Sequence, residues 1–318
     1  MAKCIGIDNI GCSCYINTAL QCLYSDPTFD SFLMNAIENK NNIQNALAPL
    51  LRQDGIQQNI RPLVRVLHKK IGKYMNLNMQ NDMQEFLLLL LDELDKELEK
   101  QPSKKQKPHQ LNQSQTFHSF LKKEWVRNHF MGITALSDRI YGQTVSQIKC
   151  PACSKMFHNA ENFCTLTLDL PTESKTHELL DLVANYFKGD TVSDWKCDAC
   201  GTTHTQVQKD IKLTRVPKVL MITLKRFDQG LFSKNSSQVE IVENFTLTTP
   251  ICLTREQHKY ELTGVGCHMG CGLGGHYYAV VKDQGGEWYT VDDEAVSKAS
   301  GVDGCAAYML FYSLLAAS

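Results

Sequence analysis

Long apolar runs are missing from this chain of 318 residues. Runs such as Phe86–Leu91 are far short of the roughly 20 residues that cross a bilayer, so no transmembrane helix is expected. An excess of one charge is missing too. Lys and Arg number 33 against 34 Asp and Glu, which removes the general electrostatic case for nucleic acid or an anionic membrane as partner. The opening MAKCIGIDNIGC lacks the apolar stretch of a secretory signal. Neither an internal repeat nor a glycine-rich phosphate loop ahead of a helix is visible, so solenoid and nucleotide-binding readings have no support.

Cysteine, by contrast, is plentiful. Thirteen are scattered over the chain, an odd number with no secretory signal before them. That favours a reduced intracellular protein, cytoplasmic and/or nuclear, in which close cysteine pairs serve metal or catalysis rather than disulfides. Hydrophobic residues make up 43%, ample for a sizeable core.

The first third reads helical. Ile16, Ala19, Leu20 and Leu23 follow Cys14 at helical spacing, and Asp26-Pro27 ends that segment. Leu63, Leu67 and Ile71 form a second stripe. Asp82, with Glu85 three residues on, resembles a capping box opening a long leucine-rich helix. Residues 100–116, rich in Lys and Gln without an acid, read as a solvated loop, with a basic recognition patch as the alternative. Short β-branched or aromatic runs then dominate, at 141–149, 163–170, 219–227, 277–282, 288–291 and 307–313. Helices first and strands later predict an α+β fold with an antiparallel sheet.

Cys150-Pro-Ala-Cys153 and Cys197-Asp-Ala-Cys200 are two CxxC knuckles with 43 residues between the inner cysteines. Two residues between thiolates let both reach one ion from a tight turn, and four thiolates suit tetrahedral zinc. Gly201 helps the second turn. The long interval must leave and return, as a pair of hairpins does. His158 and His204 are rival ligands that break the symmetric spacing. Closed four-sulfur coordination is structural, so the chemistry is expected elsewhere.

Cys14 directly precedes a helical stretch, where the free amides and the dipole favour a thiolate. Its base should come from a distant histidine. His276 stands out in GCGLGGHYYAVV, where Gly272, Gly274 and Gly275 let backbone approach something narrow. Sixteen residues on, a strand ends in Asp292 and Asp293, carboxylates suited to orienting an imidazole. Singly, each has a plain structural reading: a core cysteine, a loop histidine, a turn. Their joint arrangement carries the inference.

At this point the sequence resembles the ubiquitin-specific proteases, cysteine deubiquitinases, along essentially its whole length. GIDNIGCSCYINTALQCL resembles the family's cysteine box, QNDMQEFLLLLLDEL its Gln-x-Asp-x-x-Glu-Phe helix, and CPAC with CDAC its zinc knuckles. VPKVLMITLKRF resembles the strand ending in Leu-Lys-Arg-Phe. YELTGVGCHMGCGLGGHYYAVVK, WYTVDDEAV and AYMLFY resemble the histidine box and the C-terminal strands.

The resemblance implies roles residue by residue. Cys14 falls on the nucleophile, His276 on the general base, Asp292 on the residue orienting it and Asp293 on a neighbouring supporting position. Asn9 falls on an oxyanion-hole position, with the Cys14 amide as its partner. His268 lies in the box but not before the tyrosine, so it is not the base. Gly274, Gly275 and Tyr277 are expected to wall a channel for a Gly-Gly tail. Asp82 falls on a tail-contacting position, its alternative being a plain N-cap.

The implied architecture is one papain-like cysteine protease domain of the ubiquitin-specific protease type over 1–318. It has a helical thumb (1–125), zinc-capped fingers (126–215) and a β-rich palm (216–318). The implied function is hydrolysis of isopeptide bonds after ubiquitin's C-terminal Gly-Gly. A protease for a ubiquitin-like modifier, or a ubiquitin-binding module with weak activity, are the alternatives. Ubiquitin, ubiquitinated proteins and polyubiquitin chains are the expected partners of a monomer, with one structural Zn2+ and no cofactor for the chemistry. Cys12 departs from the family pattern and raises the question of oxidative coupling to Cys14. Ser13 replaces the family's threonine and should still serve the turn.

Overall fold

The computed structural model describes residues 4–27, 29, 42–51, 59–99, 117–129, 133–172, 175–227, 233–248, 257–271 and 274–315. The loop read at 100–116 and Gly272 lie outside these.

The helix after Cys14 is α1 (Cys14–Tyr24), and residues 14–23 are all buried. Its first intrahelical bond runs from the Asn17 amide to the Ser13 carbonyl at 2.9 Å. It ends as the chain reaches Ser25-Asp26-Pro27, and the Asp26 carboxylate accepts a bond from the Ser313 hydroxyl at 2.5 Å. After α2 (Ile43–Leu51), the leucine stripe forms α3 (Arg61–Ile71), burying Leu63, Leu67 and Ile71. The long helix is α4 (Met83–Glu99). Asp82 Oδ1 accepts the amides of Gln84 at 2.8 Å and Glu85 at 3.0 Å, so the sequence-level cap is real. Two helices follow, α5 (Phe117–Arg127) and the short α6 (Ser137–Ile140).

The strands form two main sheets. The smaller takes β1 (Gly142–Lys149), β2 (Met156–Phe163), β5 (Asp190–Lys196) and β6 (Thr203–Arg215) in the order β2-β1-β6-β5. It is two hairpins laid side by side through the β1–β6 ladder, which carries both knuckles to one end. Between the hairpins come β3 (Thr165–Asp169), β4 (Thr176–Glu178) and α7 (Leu179–Lys188).

The larger sheet runs β13-β12-β11-β10-β14-β7-β3, with β9 on β10. Its remaining strands are β7 (Val219–Lys225), β9 (Asn244–Leu247), β10 (His258–Cys271), β11 (Gly274–Lys282), β12 (Trp288–Asp292), β13 (Ala295–Lys298) and β14 (Ala307–Leu314). The short β8 (Gln238–Glu240) pairs with β4. Pairing is antiparallel except for β3–β7 and β4–β8. β3 joins the sheet from a distant part of the chain, so no hairpin dictates its direction.

Helix α1 lies across β10 and β11 and against α4, in the seam between the helical block and the large sheet. Tyr15, Ile16, Leu20 and Leu23 are fully or almost fully buried there. Each such side chain contributes about 1.5–3 kcal/mol of transfer free energy. The start of α1 is thereby fixed by the core itself.

Candidate active site

Ser13, at the N-cap of α1, makes no side-chain cap bond. Its hydroxyl accepts the Ile10 amide at 3.0 Å instead, and reaches Asn9 Oδ1 at 3.4 Å. The first-turn amides of α1 are therefore left for other acceptors. The Cys14 sulfur lies near the backbone amides of Tyr15 and of Tyr277 on β11. Cys14 is 4% exposed. Burial pushes its thiol up, the Tyr277 and Tyr15 amides pull it partly back, and Asp293 adds to the rise. At neutral pH the resting group is a thiol that needs a base.

The base candidate is the residue before Tyr277. His276 Nε2 and Asp292 Oδ1 are 2.5 Å apart, and Asp293 Oδ2 stands 4.0 Å from the same nitrogen. The three side chains gather within 4.8 Å because β11 and β12 are antiparallel neighbours.

The adjacent aspartates occupy different environments. Asp292 is 45% exposed, whereas Asp293 is 8% exposed and adopts φ 50°. That left-handed turn swings Asp293 inward. Its Oδ2 accepts Asn9 Nδ2 at 2.7 Å and its Oδ1 accepts Asn17 Nδ2 at 2.7 Å. Its carbonyl accepts the Ile7 amide at 2.9 Å. Asn17 also bonds the Ile7 and Asp8 carbonyls, at 3.3 and 3.2 Å. One buried carboxylate thus fastens the N-terminal segment and α1 to the β12–β13 turn.

A cleft of about 280 Å³ opens beside the sulfur, lined by Cys14, Asp82, His268, Gly274, Gly275 and Tyr277 among others. A Cβ on Gly275 would stand 2.2 Å from the Met269 carbonyl and 2.3 Å from His268 Nε2, so no side chain fits there. Asp82 both caps α4 and accepts the Tyr308 hydroxyl on Oδ2 at 2.6 Å, so its two oxygens are already engaged. His268 sits within the wall, between the rings of Phe227 and Tyr277 at 5.0 and 4.6 Å. Burial, then Lys234, then His276 lower its pKa to about 4, so it is neutral at physiological pH.

The knuckles lie apart from the cleft, in the β1–β2 and β5–β6 turns. They repeat one design. The Ser154 amide bonds the Cys150 carbonyl at 2.9 Å, and Gly201 does the same to Cys197 at 2.8 Å. Both closing residues are left-handed, Ser154 at φ 59° and Gly201 at φ 73°. Cys150–Cys200 and Cys153–Cys197 sulfur separations are 3.8 and 3.7 Å. A tetrahedron of Zn–S bonds near 2.3 Å has edges of about 3.8 Å, so the four sulfurs fit zinc. His204 Nε2 lies 3.4 Å from Cys150 Sγ, at the edge of the cluster. His158 instead stacks near Phe117 at 4.8 Å and contacts Gln147.

A family model described as ubiquitin carboxyl-terminal hydrolase matches residues 5–312. The chain belongs to this family. It is 29% identical over 359 residues to ubiquitin carboxyl-terminal hydrolase 5 of Saccharomyces cerevisiae, covering 97% of this chain and 44% of that relative. To ubiquitin carboxyl-terminal hydrolase Usp2 of Drosophila melanogaster it is 29% identical over 328 residues, covering 96% and 34%. The chain spans less than half the length of these two relatives. Among solved structures, the SAGA Ubp8/Sgf11/Sus1/Sgf73 DUB module bound to ubiquitin aldehyde superposes with a TM-score of 0.76 at 22% identity, over 99% of this chain and 70% of that one. The Ubp8-Sgf11-Sgf73-Sus1 module gives 0.73 at 22% identity, over 98% and 68%. The fold is the papain-like one of ubiquitin-specific protease catalytic domains.

Three residues bonded to parts of the site escaped the sequence reading. Asn17 stands three residues after Cys14, but Thr18 and Gln21 are polar in the same helix, so it had no distinct signal. Tyr308 gave no signal beyond belonging to an apolar strand. Gln80 sits in the quoted QNDMQEF motif, yet nothing local announces that it reaches Gly275.

Proposed function

We propose that the chain is a thiol-dependent deubiquitinase that hydrolyses isopeptide bonds after the C-terminal Gly-Gly of ubiquitin. The observation that carries this is the 2.5 Å His276–Asp292 bond on the strand whose next residue, Tyr277, lines the same cleft as the buried Cys14. With Nε2 engaged by Asp292, Nδ1 is the basic nitrogen for the thiol. His276 takes the Cys14 proton as sulfur attacks the carbonyl, since burial keeps the resting thiol protonated. Asn9 keeps one amide hydrogen on Asp293 and has a second for the oxyanion, with the Cys14 amide as its partner. Asp293 thereby orients Asn9, while Asp292 orients His276. His276 then protonates the leaving lysine amine and activates water against the thioester.

Gly274, Gly275 and Tyr277 wall the channel that admits a tail without side chains, and Asp82 stands at its edge. The subregions 1–125, 126–215 and 216–318 act as thumb, fingers and palm of one monomeric unit. Cys150, Cys153, Cys197 and Cys200 hold one structural zinc, which supplies rigidity to the fingers and no chemistry. A cytoplasmic or nuclear setting suits both thiol sites. The partners are ubiquitinated proteins or polyubiquitin chains.

A panel of activity probes built on ubiquitin and on ubiquitin-like modifiers tests the substrate. Labelling of Cys14 by the ubiquitin probe is expected; labelling only by another Gly-Gly modifier would overturn it.

A further inference from the structure

The cleft contains one contact that the proposed chemistry does not use. Gln80, just before α4, reaches across to β11. Its Nε2 donates to the Gly275 carbonyl at 3.1 Å, and the Gly275 amide donates to its Oε1 at 3.4 Å. The residues are 195 positions apart, so this is a bridge between the helical block and the large sheet. The segment is held in place by Asn81, whose Nδ2 donates to the Asn76 and Met79 carbonyls, both at 2.9 Å, and to the Tyr15 hydroxyl at 3.0 Å.

The position on β11 decides what the bridge means. β12 pairs with β11 only from Ala279 onward, so the strand before it is paired with β10 on one side alone. In a strand, the N–H and C=O of one residue point to the same edge, and that edge recurs every second residue. Gly275 and Tyr277 therefore show their backbone groups on the same bare edge. Tyr277 and Cys14 line the same cleft, and the Tyr277 amide is near enough to the sulfur to favour its thiolate. Gly275 lies one strand repeat earlier, about 6.6 Å away. An extended peptide with its reacting carbonyl at Cys14 would add to this edge as a strand, using the Gly275 N–H and C=O. Those are the two groups that Gln80 holds, and its carboxamide is chemically a peptide unit on a flexible stem.

We propose that Gln80 is a displaceable plug: it occupies the main-chain-reading slot of β11 in the resting enzyme, and the incoming Gly-Gly tail must exchange with it. The proposal rests on the deubiquitinase reading and adds a residue that sets apparent affinity. A plug imposes the same factor on every tail, because affinity falls by the fraction of molecules whose slot is open. Two solvent-exposed neutral hydrogen bonds correspond to a factor of roughly three to ten.

The test compares Gln80→Ala and Gln80→Met with the unaltered enzyme, on ubiquitin carrying a C-terminal fluorophore and on a peptide of ubiquitin's last five residues carrying the same fluorophore. Met keeps the bulk and loses the amide. Both variants are expected to lower KM about three- to ten-fold, by the same factor on both substrates. The rate of Cys14 alkylation by iodoacetamide, which needs no slot, should move less than two-fold. A raised or unaltered KM in both variants overturns the plug, since Gln80 would then contact substrate or be idle. Gln80→Met behaving like the unaltered enzyme overturns it as well, because bulk rather than bonding would block the slot. An alkylation rate that rises as far as kcat/KM points to general opening of the cleft and also refutes it. If the unaltered enzyme turns over neither substrate, the deubiquitinase reading fails first, and the slot has no tail to take.

Discussion

Cys150, Cys153, Cys197 and Cys200 reach one point from two turns with the same hydrogen-bonding plan. Cys14, at a helix start, lies beside the strand that carries His276, 262 residues further along the chain. The knuckle geometry is local, requiring only two hairpins and the β1–β6 ladder between them. The cleft geometry is global: α1 must lie on β10 and β11, and the Asp293 latch must hold the N-terminal segment in place. The two regions should therefore fail independently and in different observables, chemistry at one and stability at the other.

The sharpest break is at the sulfur. Cys14→Ala should cost about 10⁴-fold or more in kcat/KM on a fluorogenic ubiquitin substrate. Calorimetry should find ubiquitin affinity within a few-fold and zinc content unaltered. Measurable turnover close to that of the parent would remove Cys14 as nucleophile.

The complementary break is at the knuckles. Cys197→Ser should take bound zinc from one ion per chain to none by metal analysis, and destabilise the protein by more than about 4 kcal/mol. Below its lowered melting temperature, Cys14 should still react with iodoacetamide, because the four-stranded sheet does not build the cleft. Unaltered thermal stability together with full zinc loading would contradict the four-sulfur site.

Asn9 probes how far the cleft depends on the latch. Asn9→Ala removes the proposed oxyanion donor and one of the two side-chain bonds received by Asp293. A drop of about 10²-fold in kcat with KM moving little is expected, the signature of an interaction made only in the transition state. An effect confined to KM would move Asn9 from chemistry to binding.

The same contrast explains what was legible in the sequence. The knuckles could be read almost completely, because ligand type, spacing and the turn glycine are all local. Even so, the left-handed Ser154, which does at the first knuckle what Gly201 does at the second, gave no sign of itself. Three helices were marked by apolar spacing and the Asp82 cap. The long strands β6 and β10 were not read, because exposed polar residues interrupt the β-branched pattern of β6 and glycines interrupt that of β10. Cys14, His276 and Asp292 were singled out by residue type and by resemblance, and the structure pairs the last two at 2.5 Å. The inward turn of Asp293 onto Asn9 and Asn17 was not accessible, since it depends on a single left-handed φ. Gln80 was not accessible either, because a bond spanning 195 residues leaves no local trace.

The smallest expected effect concerns His268, the histidine in the cleft wall. Its pKa is lowered from 6.5 to about 4, chiefly by burial, while the unfolded chain keeps the higher value. Above pH 6.5 both states are neutral and His268 costs nothing through protonation. As pH falls from 6.5 toward 4 the unfolded chain binds a proton that the native state refuses, so stability declines with acidification across that window. Carboxylates titrate over part of the same range, but they are common to both proteins when the parent is compared with His268→Gln. In urea unfolding at pH 7 the variant should be the less stable, having lost ring packing against Phe227 and Tyr277. At pH 4.5 that gap should narrow by roughly 1–2 kcal/mol, because the variant has no imidazole to protonate on unfolding. A gap that stays constant or widens on acidification would mean that His268 accepts its proton in the native state, and that the cleft wall is wetter than its packing indicates.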